Sequence, residues 1–393
     1  MRRSGAAYAI MFVALAAYVP YLTLYYQSIG ISVGQIGALM AFVSVVALVS
    51  ATVWGTIHDR FPRSWVLLPL AGLVAAGGAF GLARSGPSPQ LVVCAALFAI
   101  GMSGTLPMMD ARVLEVTGSD RTRYGLVRAC GSASFMVCAP LIGLLANSHG
   151  PASLFLIMVP ALVIGGLAAS AIPGRSQVLR APSMLRAPGR VLSHRPIGFF
   201  LFGSLACWTA IYAQTGFFSL YLKSIGAPDD QVGLAWSLGS LGEIPTMIFF
   251  PVLAKRFGVE RLIMLGAGLT VTRQIVNTVF TLPAVLLAFS LLHGAGYAML
   301  LVGGVAFVAH HAPRGTGATA QGLFSGAMAN LAAIIGSGAG GLLAGAITIR
   351  AMYGVSVGLG LVGIVLIAAA VLPASVRTTP AATAEQSAVV PGP

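Results

Sequence analysis

Charge is what this sequence has least of. Asp and Glu together number nine, charged residues of both signs make up 8% of the 393 positions, and 57% are hydrophobic. A soluble domain carries about a quarter charged residues. The scarcity, with a mean hydropathy of +0.92, excludes an ordinary water-soluble globule and makes lipid the solvent for most of the chain. Cysteine is scarce as well. Cys94, Cys130, Cys138 and Cys207 all fall inside apolar segments and form no C-x-x-C pair, which excludes a disulfide framework and a thiolate metal centre. There is no H-E-x-x-H motif, no nucleophile elbow and no appended soluble domain, so neither an intramembrane enzyme nor a sensor is expected, and no cofactor or metal. The shortage of acids leaves a formal charge of +13. Its basic residues sit in short clusters between apolar runs, the pattern of membrane loops rather than of nucleic-acid binding.

What is present is a succession of apolar runs, each about the 20 residues that a helix needs to cross roughly 30 Å of hydrocarbon. Twelve are expected, near 7–28, 34–57, 65–83, 90–113, 124–146, 151–172, 198–222, 231–254, 262–281, 284–309, 316–347 and 350–372. The first lies behind Arg2 and Arg3 and lacks a small-residue cleavage site, so it is read as a retained helix. The fold class expected is all-α and integral to the membrane, with two six-helix bundles at 1–172 and 198–372. Between them, 173–197 holds Pro173, Pro182, Pro188 and Pro196 with five arginines and reads as a linker, and 373–393, rich in Ala, Thr and Pro, is expected to be disordered.

Sixteen of the 22 Lys and Arg fall at the termini, in the linker and in the connections on that side of the bundle. Only Arg84, Lys223 and Arg350 fall in the opposite connections. The bias places both termini in the cytoplasm. The chain also repeats itself at an offset of 196. Leu24-Tyr25 recurs as Leu220-Tyr221, Ser28-Ile29-Gly30 as Ser224-Ile225-Gly226, Gln35 and Gly37 as Gln231 and Gly233, and Arg60-Phe61 as Arg256-Phe257. Each copy holds six spans, so the copies are parallel, an arrangement that puts a solute site at their interface near midplane.

Ionisable residues inside a bilayer cost several kcal/mol unless paired or wetted, which makes them functional candidates. Here they are Asp110, Arg128, Glu243, Arg273 and His293. Asp110 and Arg128 are centred on Ser119, so in an antiparallel hairpin they stand level, about 13 Å from its tip, and can pair. Glu243 and Arg273 are centred on Gly258, and Arg273 and His293 on Pro283, which puts these three at one level near midplane, with a Glu243–Arg273 pair expected. Tyr18, Tyr21 and Tyr25 share one helical face, and the repeat maps them to Gln214, Phe217 and Tyr221. They are read as a wall for an aromatic or amphipathic ligand, or equally as a packing stripe. Asn277, one turn beyond Arg273, joins the candidates, with Gln321 and Ser325 behind it.

The turn after the second span reads Gly55-Thr56-Ile57-His58-Asp59-Arg60-Phe61-Pro62-Arg63. It resembles the cytoplasmic G-x-x-x-D-R-x-G-R signature of the major facilitator superfamily, with Pro62 in place of a glycine. The resemblance implies a gating role for Gly55, Asp59, Arg60 and Arg63. Within that superfamily the chain is similar to the branch of lactose and phenylpropionate permeases. The similarity rests on Tyr124 to Ser132, an acid eighteen residues before Arg128, Gly242-Glu243, Arg273 followed by Leu292-His293, and Leu300 to Gly303. It implies substrate binding by Asp110 and Arg128, and coupling to protons through Glu243, Arg273 and His293. Ser290 and Gly296 stand where lactose permease has a lysine and an acid, leaving Asp110 or Glu243 to carry the proton. The expectation is a permease of the bacterial inner membrane, a proton symporter importing a small organic solute such as an aromatic carboxylate. A drug- or metabolite-exporting proton antiporter is the alternative, for which Ala139-Pro140-Leu141-Ile142-Gly143 offers a partial signature.

Overall fold

The computed structural model describes residues 2–60, 66–117, 121–172, 188–313 and 315–377. Among them there is no strand, and eleven helices are long and apolar enough to cross a membrane. In the first half α1 is Arg2–Ser28, α2 Val33–Arg60, α3 Leu67–Arg84, α4 Pro89–Thr117, α5 Arg121–His149 and α6 Leu154–Ser170. In the second half α7 is Arg195–Ser224, α8 Asp229–Phe257, α9 Val259–Val279, α10 Pro283–His311 and α12 Ile349–Arg377. The span expected at 316–347, α11, is divided. It runs as Gly317–Gly326, a π-helical turn Ala327–Leu331 and Ala332–Ala346, so no single piece is long enough to span. A π turn accommodates an extra residue by shifting bonds from i+4 to i+5, and the run Gly326-Ala327 offers little side chain to hold the tighter register.

The helix ends shift by a few residues throughout, and at the linker and the tail the shift adds helix where none is expected. A short helix, Pro188–Ser193, and the start of α7 at Arg195 occupy part of the expected linker. The last helix continues past Pro373 to Arg377. The remainder of the linker and the stretch 378–393 lie outside the described residues.

The internal repeat has a structural counterpart. Gly30 and Gly226 adopt φ of 90° and 88°, a left-handed conformation natural only to glycine, and terminate α1 and α7. Each closes the same C-cap, in which Ile31 N–H donates to Tyr26 O and Ala227 N–H to Leu222 O, both at 3.0 Å. One turn earlier, the Tyr25 hydroxyl donates to Leu82 O (2.7 Å) and the Tyr221 hydroxyl to Phe280 O (3.2 Å), tying the first helix of each half to the end of its third.

Within each half, helices approach on small residues, as they must where lipid supplies no hydrophobic drive between them. Between the halves, α2 lies along α11 and α5 along α8. A Cβ built on Gly37 of α2 would stand 2.4 Å from Gly341 Cα of α11, so these backbones touch. The hydrogen bonds that cross between the halves among the described residues all lie toward the end away from the linker. Asp229 N–H donates to Asn147 Oδ1 (2.7 Å), Asn147 Nδ2 to Asp230 Oδ1 (2.6 Å), and Ser237 Oγ to Met136 O (2.8 Å). Tyr21, fully buried, donates to Ala139 O of its own half (2.7 Å) and Asp229 O of the other (3.1 Å). Lys223 pairs with Asp229 at 2.8 Å beside them. This end of the interface is sealed.

A side chain at position 37 has no room while the seal is closed. Overpacking of this kind costs about 1–3 kcal/mol, so Gly37→Val is expected to shift the population toward a form open at that end. Spin labels on cysteines at positions 31 and 347 should report a longer distance than in the parent, and an unchanged distribution would refute the close contact.

Candidate functional site

In the first half, Asp110 of α4 collects three donor side chains from two other helices. Arg128 Nη1 of α5 lies 3.0 Å from both of its oxygens, the Tyr124 hydroxyl donates to Oδ1 at 3.0 Å, and the Tyr8 hydroxyl of α1 donates to the same oxygen. Arg128 and Tyr124 are four apart on one face of α5, and Nη1 also donates to the Tyr124 hydroxyl at 3.4 Å. The pair expected from hairpin symmetry is therefore formed, and two tyrosines not foreseen as partners complete it. Tyr124 was legible as an i, i+4 neighbour of Arg128, whereas no spacing in the sequence singles out Tyr8. The side chains of Arg128 and Asp110 are 46% and 27% exposed, so the pair opens onto accessible space. The described contacts of Arg128 use Nη1 alone, which leaves its other N–H groups beside carboxylate oxygens: donors and an acceptor side by side.

Glu243 of α8 belongs to the same neighbourhood. It is half-buried, has no hydrogen-bond or ion-pair partner among the described residues, and feels the charge of Arg128 from the opposite half. Tyr297 of α10 and Tyr212 of α7 lie in the same neighbourhood as Glu243 and Arg128. Trp208 packs edge-on against Tyr297, with ring centroids 4.8 Å apart. These three aromatics were not singled out in the sequence, because an aromatic in an apolar helix carries no signal of which way it faces.

Several expected site residues lie elsewhere. The Glu243–Arg273 pair is not formed. Arg273 is 3% exposed, its guanidinium lies 4.3 Å from the Phe218 ring centroid, and Nε and Nη1 have no protein partner. Equal depth along two helices leaves the azimuth free, and Arg273 points toward α7 and α12 rather than α8. Gln214 and Asn277 are fully buried, with both polar atoms of each side chain unpartnered. His293 sits beside Tyr297, centroids 6.2 Å apart, with Nδ1 unpartnered. Tyr18 packs edge-on against Phe98 at 5.2 Å, and Tyr21, read as part of a ligand wall, is spent on the seal. Of the gating residues, Gly55 and Arg60 lie exposed on the last turns of α2, while the Asp59 side chain and Arg63 fall outside the described residues. No cluster of three His, Cys, Asp or Glu suited to a metal occurs among the described residues.

Residues 2–355 match the family described as MFS_1 like family. The chain is 25% identical over 324 residues to an uncharacterised transporter, YwbF, of Bacillus subtilis (strain 168), covering 81% of this chain and 80% of that one. It is 29% identical over 271 residues to the maltose permease of Geobacillus stearothermophilus, covering 68% of each. Among solved structures, the nucleoside transporter NupG superposes with a TM-score of 0.81 at 14% identity, over 94% of this chain and 98% of that one. That likeness establishes the shared fold.

The site and the seal differ in how their loss should register. An ion pair this open to solvent contributes about 0–1 kcal/mol to stability, so Asp110→Asn should leave the thermal unfolding midpoint in detergent almost unchanged. Tyr21→Phe removes a buried hydrogen bond that links the halves, at about 0.5–1.5 kcal/mol, and should lower it clearly. The reverse order would mean that Asp110 is structural.

Proposed function

The chain belongs to the MFS_1 like family, and on that premise we propose that it is a proton-coupled symporter importing a small, neutral, hydroxyl-bearing solute across a bacterial inner membrane. The observation that carries this reading is the Asp110–Arg128 pair, half-open and already neutral in sum. It offers unused guanidinium N–H groups next to a carboxylate, a match for vicinal hydroxyls, while Trp208, Tyr212 and Tyr297 supply faces for the apolar side of a ring. An aromatic carboxylate fits less well, because it would add an unmatched charge to a balanced pair, and Arg273, the other basic candidate, is closed off. The names of a maltose permease and a nucleoside transporter among the similar proteins support a sugar-like or nucleoside-like solute.

Glu243 is the acid we assign to the proton. It has no contact that protonation would break, whereas a proton on Asp110 would disrupt the ion pair and two tyrosine hydrogen bonds. The distribution of Lys and Arg makes the linker end cytoplasmic and the seal closes the other end; import is the direction in which an inward proton gradient drives a symporter. In this reading the structure is the inward-open half of an alternating-access cycle, and the Gly55 to Arg63 turn acts as the inner gate. An exporting antiporter would work in the same fold, but the partial signature at Ala139 to Gly143 is taken up in the seal, where Ala139 O accepts from Tyr21 and a Cβ on Gly143 would meet Asp229 O at 2.5 Å.

Uptake into proteoliposomes across a panel of disaccharides, nucleosides and phenylpropionate, with and without an inward proton gradient, tests the proposal. A disaccharide or nucleoside should accumulate with the gradient. Glu243→Gln should lose accumulation yet retain solute exchange, and Asp110→Asn should bind at least tenfold more weakly. Gradient-driven uptake in Glu243→Gln equal to the parent would move the proton elsewhere, and accumulation of phenylpropionate alone would overturn the neutral-solute reading.

A further inference from the structure

The second half encloses a cation for which the described residues supply no anion. Arg273 of α9 is 3% exposed, and two of its N–H-bearing nitrogens, Nε and Nη1, have no protein partner. The groups around it are neutral. Phe218 of α7 lies under the guanidinium at 4.3 Å. One turn along α7, Gln214 is fully buried with both amide atoms unpartnered, and one turn along α9, Asn277 is the same. Tyr353 of α12 packs across the gap, its hydroxyl donating to Gln214 O at 3.2 Å and its ring meeting Tyr221 edge-on at 5.1 Å. On the remaining side stands His293 of α10, which feels the charge of Arg273.

A cation–π contact offsets part of the cost of burying a guanidinium, but a buried charge without a counter-charge remains strongly unfavourable, and each orphaned buried amide adds to that. Three residues from two helices present N–H donors in one closed region, beside a formal positive charge and away from the solute pair at Asp110. Donor N–H groups around a positive charge are how proteins hold an anion. The side chains of Phe218, Tyr353, Gln214 and Asn277 are all 0–1% exposed, so the region is shut off from solvent.

We propose that Arg273, Gln214 and Asn277 form an occluded binding site for a small inorganic anion of chloride size, set inside the second six-helix half and separate from the solute cavity. The anion supplies the counter-charge that Glu243 does not, and it bridges α7 and α9 between the rings of Phe218 and Tyr353.

Full-length protein in nanodiscs can be tested with radioactive chloride in equilibrium dialysis, and by thermal unfolding in sodium chloride against sodium gluconate. The expected result is about one saturable chloride per chain and a midpoint several degrees higher in chloride. Both effects should disappear in Arg273→Gln and weaken at least tenfold in Asn277→Leu, which remains informative if the arginine variant does not fold. Arg128→Gln should still bind one chloride. No bound chloride in the parent, with equal midpoints in the two salts, would overturn the proposal and leave water as the partner of these groups. Loss of chloride in Arg128→Gln would overturn it equally, by placing the ion in the solute cavity.

Discussion

An unpaired N–H or C=O group within the roughly 30 Å of a bilayer's hydrocarbon costs several kcal/mol, so a chain that crosses it repeatedly is confined to helices. The rest of this structure depends on that constraint. Because the solvent is as apolar as the side chains, exposed Leu156, Ile248 and Val365 carry no penalty, and burial of apolar area does not distinguish one packing from another. Close backbone approach does. Gly37 against Gly341 brings α2 onto α11, and the same kind of contact sets helices within each half. Among the described residues of the spanning helices, the π turn of α11 interrupts the regular helix. It lies in the helix that packs along α2, and π turns of this kind frequently accompany function.

Polar groups do two different jobs against that background. At the sealed end they link the halves to one another: Asn147, Asp229, Asp230 and Tyr21 form a short network across the interface, with Lys223 beside it. Asp110 and Arg128 instead satisfy one another within a single half while remaining partly exposed. In the proposed cycle a network that spans both halves breaks when the halves rearrange, whereas a pair within one half can persist.

The two halves of the protein differ in how their charges are balanced. The first half balances Asp110 with Arg128. The second does not: Glu243 and Arg273 stand at one level but face different neighbours, Arg128 and Phe218 respectively. In the proposed reading, a half-buried acid without a partner is suited to taking up and releasing a proton, and a lone base sealed among amides is suited to holding an ion. Two partners that had paired with each other would do neither.

The sequence alone determined the helical membrane fold, the repeat and the Asp110–Arg128 pair, because each follows from one-dimensional quantities. Run length matches bilayer thickness, the offset of 196 aligns the caps at Gly30 and Gly226, and symmetry about a hairpin turn equates depth on two adjacent helices. Tertiary structure decided azimuth and partner. Depth placed Arg273 near Glu243 but not the direction of its guanidinium; a common face grouped Tyr18, Tyr21 and Tyr25 without revealing that Tyr21 bridges the halves. Nothing in the spacing of Tyr8 announced a hydrogen bond to an acid 102 residues away. In helices that are apolar all round, the periodicity that would tell one face from another is absent. Which residues look inward is therefore settled by the packing of neighbouring helices and not by the pattern along any one of them.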